Sequence, residues 1–397
     1  MKSTGRRAFL RDSYRVAVGA FAGAVFSAGC VRENRARAPA ESTTNSRKIL
    51  NHNPGMGYRR LGRTNLMVSE IVLGGHFNDP RGHYFWEHFP DGELPAEVAE
   101  NRTEVVSRCL DHGVNYVDIT HGSEAIAYGV ALKGRRDRIY IAADDAAYAM
   151  RLDRHRNTES QMKNIESCLR KLGTDYLDVW RPQFKPTGGH RDMDMEMCVA
   201  VFEKARQQGK VRFLGMATHD RTWLEHVLSR FPQYGIVYMP YTLRPKTKPT
   251  TLQSIDRTQL YEPKNPHWCL GEAREELFQA ARAHDTGIIA IKPFVAGLLF
   301  SSPPQEFGRP NRATEADEEL ARLTLACILS NPDISGVAVG MTSPDHVDNN
   351  VRASLERQAL LDQSDPQELR DAVDRVWSHL PHEYVWLRQW ENGTVLT

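Results

Sequence analysis

Five imidazole and carboxylate side chains stand at or just beyond apolar runs that read as strands. His76 follows the run at 71–74, Asp118 and His121 close the run at 114–117, Asp144 follows 139–141, and His219 lies beyond 211–214. Imidazole with carboxylate is a ligand set for zinc or a related divalent ion, which would act as a Lewis acid. No HExxH or similar short ligand motif accompanies them, so the same residues equally suit hydrogen bonding to loops or to a polyhydroxylated substrate. Between His76 and Glu100 a long connection carries His83, Tyr84, Phe85, Trp86, His88 and Phe89. Aromatic faces beside polar groups suit a sugar-like ligand, and the same stretch also reads as a lid over the site. A second polar, proline-bearing loop is expected from Lys246 to His267.

These groups converge only if the elements before them end at one face. Strand signals occur at 71–74, 114–117, 139–141, 177–180, 211–214, 236–239, 287–291 and 337–339. Helical periodicity follows them at 104–112, 123–133, 158–172, 197–208, 223–230, 271–284, 316–329 and 346–355. Alternation of this kind builds a parallel sheet with crossover helices. Eight units over 56–355 fit an α/β fold of (β/α)8 TIM-barrel type, and no GxGxxG follows the first strand to favour a doubly wound sheet. Tyr58–Gly62 and Leu66–Ser69, turned at Thr64-Asn65, read as a hairpin closing the bottom of that barrel. Residues 356–397, with Trp377, Tyr384, Trp386 and Trp390, form an extension to which no chemistry is assigned.

The 397 residues hold 51 Lys+Arg against 50 Asp+Glu, with 41% hydrophobic and 25% charged residues. That is ordinary globular usage, against disorder, a dedicated nucleic-acid binder or a polytopic membrane protein. Six cysteines without a CxxC pair argue against a disulfide scaffold. The N-terminus is an address. Arg6-Arg7 precedes the short apolar stretch Val16–Phe26 and the small residues Ser27-Ala28-Gly29-Cys30. Residues 1–30 therefore read as a twin-arginine signal peptide with a lipoprotein-type processing site at Cys30, and 31–55 as a flexible tether. The expectation is export, to a periplasmic or lipid-anchored location. Residues 1–29 carry Lys2, Arg6, Arg7, Arg11 and Arg15 against Asp12, a net +4, so their removal takes the formal charge from +1 to −3.

Several stretches resemble the aldo/keto reductase family: YRRLGRTNLMVSEIVLGG (58–75), HGVNYVDIT (112–120), SEAIAYGVALKGRRDRIYIA (123–142), IESCLRKLGTDYLDVW (165–180), GKVRFLGMATHD (209–220), IIAIKPFVAGLL (288–299) and GVAVGMTSPDHVDNNV (336–351). The resemblance implies a barrel enzyme moving hydride between NAD(P)H and a carbonyl, with a Tyr acid supported by an Asp–Lys pair and a His. Carried over position by position, Asp118 is kept and His121-Gly122 stands where Tyr-Gly is usual. Asp144 stands where the Lys is expected, and Gln183 where the His is expected. Tyr128 is the less favoured stand-in for the acid. The altered set implies His121 as the acid, its imidazolium held by Asp118, with Gln183 donating to the substrate oxygen. Lys292, Gly340, Ser343, His346 and Asn350 match the family's cofactor-binding stretch for NADP or NAD, with His346 in place of an Arg that meets the extra phosphate of NADP. A small carbonyl or carbohydrate-like substrate follows. The alternatives are a divalent metal on His76, His121, Asp144 and His219, serving a lyase, isomerase or hydrolase, and a non-catalytic binding barrel.

Overall fold

A computed structural model describes residues 49–78, 93–186, 188–244, 275–300, 314–363, 366–378 and 394–395. The described residues all fall within one unit, 45–397. Residues 1–30, read above as a signal peptide, the aromatic residues of 83–89, residues 246–267, and Tyr384, Trp386 and Trp390 lie outside the described residues, as does the side chain of Trp377.

Two short strands, β1 (Tyr58–Arg60) and β2 (Met67–Ser69), pair antiparallel around a tight turn in which Asn65 takes a left-handed conformation at φ 56°. Then come β3 (Ile71–Gly74), α1 (Ala96–Asp111), β4 (Tyr116–Ile119), α2 (Gly122–Ala131), β5 (Tyr140–Ala143), α3 (Thr158–Leu172), β6 (Leu177–Trp180) and α4 (Asp192–Gln207). The series continues with β7 (Val211–Ala217), α5 (Arg221–Arg230), β8 (Tyr234–Pro240), β9 (Leu243–Arg244), α6 (Glu275–Ala283), β10 (Gly287–Ile291), α7 (Glu315–Leu329), β11 (Ile334–Val339) and α8 (Pro344–Leu355). Helices α9 (Arg357–Gln363) and α10 (Pro366–Ser378) and the short β12 (Thr394–Val395) follow, β12 pairing with β9. Strands β3, β4, β5, β6, β7, β8, β10 and β11 close into one parallel barrel, the eight-unit architecture read from the sequence.

Local chemistry explains the boundaries. Helix α3 starts where the Asn157 side chain accepts the Ser160 amide at 2.9 Å and stops at Gly173, φ 63°. Helix α1 begins at Ala96, earlier than the periodicity predicted, because Pro95 presets the entry and Glu97 suits the first turn. The tether also ends sooner than residue 55. Asn51 Nδ2 donates to the Leu110 carbonyl at 2.8 Å and Asn53 Nδ2 to that of Asp111 at 2.8 Å, so 49–55 are pinned to the end of α1.

Inside the barrel, Val72, Tyr116, Ala142, Val179, Ala217, Ile236, Tyr238, Ile289 and Ala338 share one apolar cluster with Leu61, Leu66 and Val68 of the hairpin. The hairpin is thus the plug beneath the barrel. Because side chains alternate along a strand, the next inward positions toward the strands' C-terminal ends are Asp118, Asp144 and Arg181. The floor is apolar and the mouth is charged. Among the described residues, no helix is long and apolar enough to cross a membrane.

Candidate active site

Asp118 closes β4 on the inner face, level with Gly74 of β3 and Ala142 of β5. Its Oδ1 forms a buried ion pair with Arg181 Nε, the side chains being 6% and 2% exposed. The Arg181 guanidinium also lies 4.8 Å from the centre of the Tyr238 ring. Burial pushes Asp118 up to about 6, and the Arg181 charge restrains that rise. The carboxylate is therefore engaged with Arg181, just past β6, not with an imidazolium at His121 as expected.

Asp144, beyond β5, is also wholly buried. Its Oδ1 accepts from Asn164 Nδ2 at 2.7 Å and its Oδ2 from Gln183 Nε2 at 2.9 Å. Burial raises it too to about 6, with Arg181 again the main opposing influence. Gln183 spends its second amide hydrogen on the Thr120 carbonyl at 2.8 Å. With both hydrogens held inside the network, Gln183 orders Asp144 and has no donor left for a substrate oxygen. Asp145 faces the other way: its Oδ2 meets Ser167 Oγ at 2.8 Å and Lys171 Nζ at 3.2 Å, which hold it below the usual carboxylate range.

His121 occupies the N-cap position of α2. Its Nδ1 lies 3.0 Å from Ser123 Oγ, and its backbone N–H donates to Glu124 Oε2 at 3.1 Å. Tyr128 is not at the mouth. It is fully buried, its hydroxyl donates to the Gly74 carbonyl at 2.9 Å, and burial raises its pKa.

The sequence reading missed two groups. Arg181 returns a cation to the mouth one strand away from the position where lysine is lost. Its signal was legible as a charge on the inward face shared by Val179, Arg181 and Gln183. Glu124, read only as part of a helix, lies 2.7 Å from His76 Nδ1 and accepts the Thr120 amide at 2.7 Å. Burial raises Glu124 to about 7. His219 is buried beyond β7.

The metal alternative fails on geometry. Among the described residues no three His, Cys, Asp or Glu side chains converge as a metal site. His76 is engaged by Glu124 and Asp144 by two amides, so His76, His121, Asp144 and His219 do not form one ligand set.

At the cofactor stretch, Lys292 leaves β10 in a left-handed conformation, φ 59°, and Val295 follows at φ 51°. A side chain on Gly340, just past β11, would place its Cβ 2.0 Å from the His76 carbonyl oxygen. Ser343 caps α8 by accepting the His346 amide at 3.3 Å, and Pro344 opens the helix. His346 Nδ1 lies 3.0 Å from Thr342 Oγ1, and burial pushes its pKa down, so it is neutral near pH 7. Asn350 is buried on the same helix. Arg102, whose charge reaches His346, is fully buried with its guanidinium 4.0 Å from the centre of the Phe77 ring, and its Nη1 lacks a hydrogen-bond partner among the described residues. A helix N-terminus, a buried guanidinium with an unmet donor and Lys292 suit the phosphates of a dinucleotide.

The family model described as Aldo/keto reductase family matches residues 88–374. L-galactose dehydrogenase of Arabidopsis thaliana is 24% identical over 340 residues, covering 80% of this chain and 94% of that protein. The NADH-specific methylglyoxal reductase of Escherichia coli is 22% identical over 339 residues, covering 79% and 98%. Among solved structures, an aldo-keto reductase from Bacillus halodurans in its holo form aligns with a TM-score of 0.52 at 23% identity, over 81% of this chain and 96% of that one, which shows a shared fold.

Proposed function

The chain belongs to the aldo/keto reductase family of NAD(P)-dependent oxidoreductases, and on that premise we propose that it transfers hydride between a nicotinamide cofactor and a hydroxyl or carbonyl carbon of a sugar-like substrate, outside the cytoplasm. The observation that carries this reading is Arg181. Hydride delivery to a carbonyl builds negative charge on oxygen, and Asp118 and Asp144 alone would oppose it. The buried guanidinium, paired with Asp118 and acting on Asp144, offsets that repulsion, so the loss of the usual lysine does not leave the mouth purely anionic.

The bound nicotinamide would supply or accept the hydride. Lys292, the α8 N-terminus and Arg102 would hold its phosphates. His346 is neutral, so it offers a hydrogen bond but no charge to the extra phosphate of NADP. Both NADH and NADPH are accepted on this reading, without a strong preference for NADPH. The sugar-like substrate is supported by the similarity to a galactose dehydrogenase and by the aromatic stretch 83–89. Export by the twin-arginine route, with a lipid on Cys30, rests on residues 1–30 and suits an enzyme that acquires its nucleotide before leaving the cytoplasm.

Fluorescence titration of the purified protein with NADH and NADPH tests the reading. Saturable quenching or energy transfer with either nucleotide is expected, followed by turnover on a panel of aldoses, polyols and small aldehydes that includes L-galactose and methylglyoxal. Absence of binding at millimolar nucleotide would overturn it in favour of a non-catalytic barrel.

A further inference from the structure

We propose that His76 is the catalytic base of this site when a hydroxyl is oxidised, with Glu124 as its positioning residue. The inference rests on the nicotinamide-dependent reading above. His76 stands beyond β3, its side chain 39% exposed, while the Glu124 carboxylate that meets its Nδ1 at 2.7 Å is completely buried. Thr120 Oγ1 lies 2.9 Å from the same nitrogen and 3.0 Å from Glu124 Oε2. Close approach of Glu124 depends on Gly75, where a Cβ would fall 2.3 Å from its Oε2. With Glu124 ionised, Nδ1 carries the proton and donates it to the carboxylate, which leaves the lone pair on Nε2. A carboxylate thus fixes the tautomer of an imidazole at the mouth, the arrangement that makes histidine an oriented general base.

Three charged groups place His76 at the mouth. Desolvation, Lys292 just past β10, Arg181 just past β6 and Arg151 from the segment after β5 oppose its protonation, while the Glu124 carboxylate at 2.7 Å favours it. Glu124 faces His76, the Thr120 hydroxyl, His121 and Arg181, and its charge also reaches Asp118. His121 sits at the head of its own helix with Ser123 and is the weaker candidate. With its Nδ1 proton held by the carboxylate, the imidazole takes a further proton at Nε2. In the oxidation, the substrate O–H bond breaks and its proton passes to Nε2. The C–H bond breaks with its electron pair, which leaves as hydride to the oxidised nicotinamide, and the carbon–oxygen bond becomes double.

The test pairs kinetics with a readout that needs no nucleotide. With NAD+ or NADP+ and the best alcohol of the aldose and polyol panel, wild-type kcat/KM rises with pH through an apparent pKa near 7, as Glu124 ionises. His76→Gln lowers kcat about 100-fold while nucleotide affinity is unchanged. Glu124→Gln removes the acidic limb of the profile, and Glu124→Asp restores it in part. In nucleotide-free protein, imidazole 15N spectra assign the Nδ1-protonated neutral tautomer to His76 at alkaline pH. That signature changes as pH falls through about 7 in wild type but not in Glu124→Gln. A wild-type kcat in His76→Gln, or an Nε2-protonated tautomer at alkaline pH, overturns the assignment. Carbonyl reduction without alcohol oxidation in wild type overturns His76 as a base and leaves the broader reading standing. Absence of nucleotide binding removes both.

Discussion

Arg181 decides the electrostatics of the mouth. It is buried beside two carboxylates whose pKa values burial has raised from 3.8 to about 6, and removing it would leave both uncompensated. Arg181→Met should cost about 3–5 kcal/mol near neutral pH, measured by urea unfolding. The pH dependence has a definite sign. A carboxylate whose folded pKa lies above its unfolded value contributes stability in acid and loses that contribution as pH rises through the folded pKa. For Asp118 and Asp144 the loss runs from about 4 to about 6 in wild type. Without the guanidinium their folded values climb further, so the deficit of Arg181→Met should widen as pH rises and narrow in acid. A deficit independent of pH would place Arg181 outside this network.

Elements matter here through their ends. Strand β11 and helix α8 meet at Gly340, which has no room for a side chain because the His76 carbonyl occupies the space. The same contact couples the cofactor stretch to the residue proposed as base. Gly340→Ala should destabilise the barrel by roughly 1–3 kcal/mol, since backbone rather than a flexible side chain must move. It should also weaken nicotinamide binding and lower kcat together. Loss of stability with binding and turnover intact would show that the two sites are not joined there. The hairpin acts at the opposite end: Leu61, Leu66 and Val68 fill the barrel floor.

At the scale of the whole molecule, the formal charge of +1 joins a stretch of net +4 at residues 1–29 to a remainder that is −3. Export and lipidation are read from residues 1–30 alone. Replacing Arg6 and Arg7 together with Lys should strand the precursor in the cytoplasm, and Cys30→Ala should abolish a lipid-dependent shift in membrane fractionation. Unchanged distribution of both variants would remove the export reading without touching the barrel chemistry. The buried cysteines Cys109, Cys168 and Cys198 are free thiols that burial makes harder to ionise, so none of the three is a reactive sulfur.

The barrel was legible because its cause is local. Period-two strands, 3.6-residue helices and caps such as Asn157 and Ser343 are written within a few residues of chain, and eight such units admit few closures. The same alternation put Asp118, Asp144 and Gln183 at the mouth before any contact was known. Which charges meet there is another matter. Arg181 reaches Asp118 across 63 positions, and Glu124 reaches His76 across 48. Those pairings depend on strand stagger, on the missing Cβ of Gly75 and on how deeply each group is buried. None of these has a signature in spacing. Sequence determined a family barrel with an altered mouth; the tertiary structure decided that the lost lysine is answered by Arg181, that Gln183 is spent on Asp144, and that His76 is the imidazole backed by a buried carboxylate.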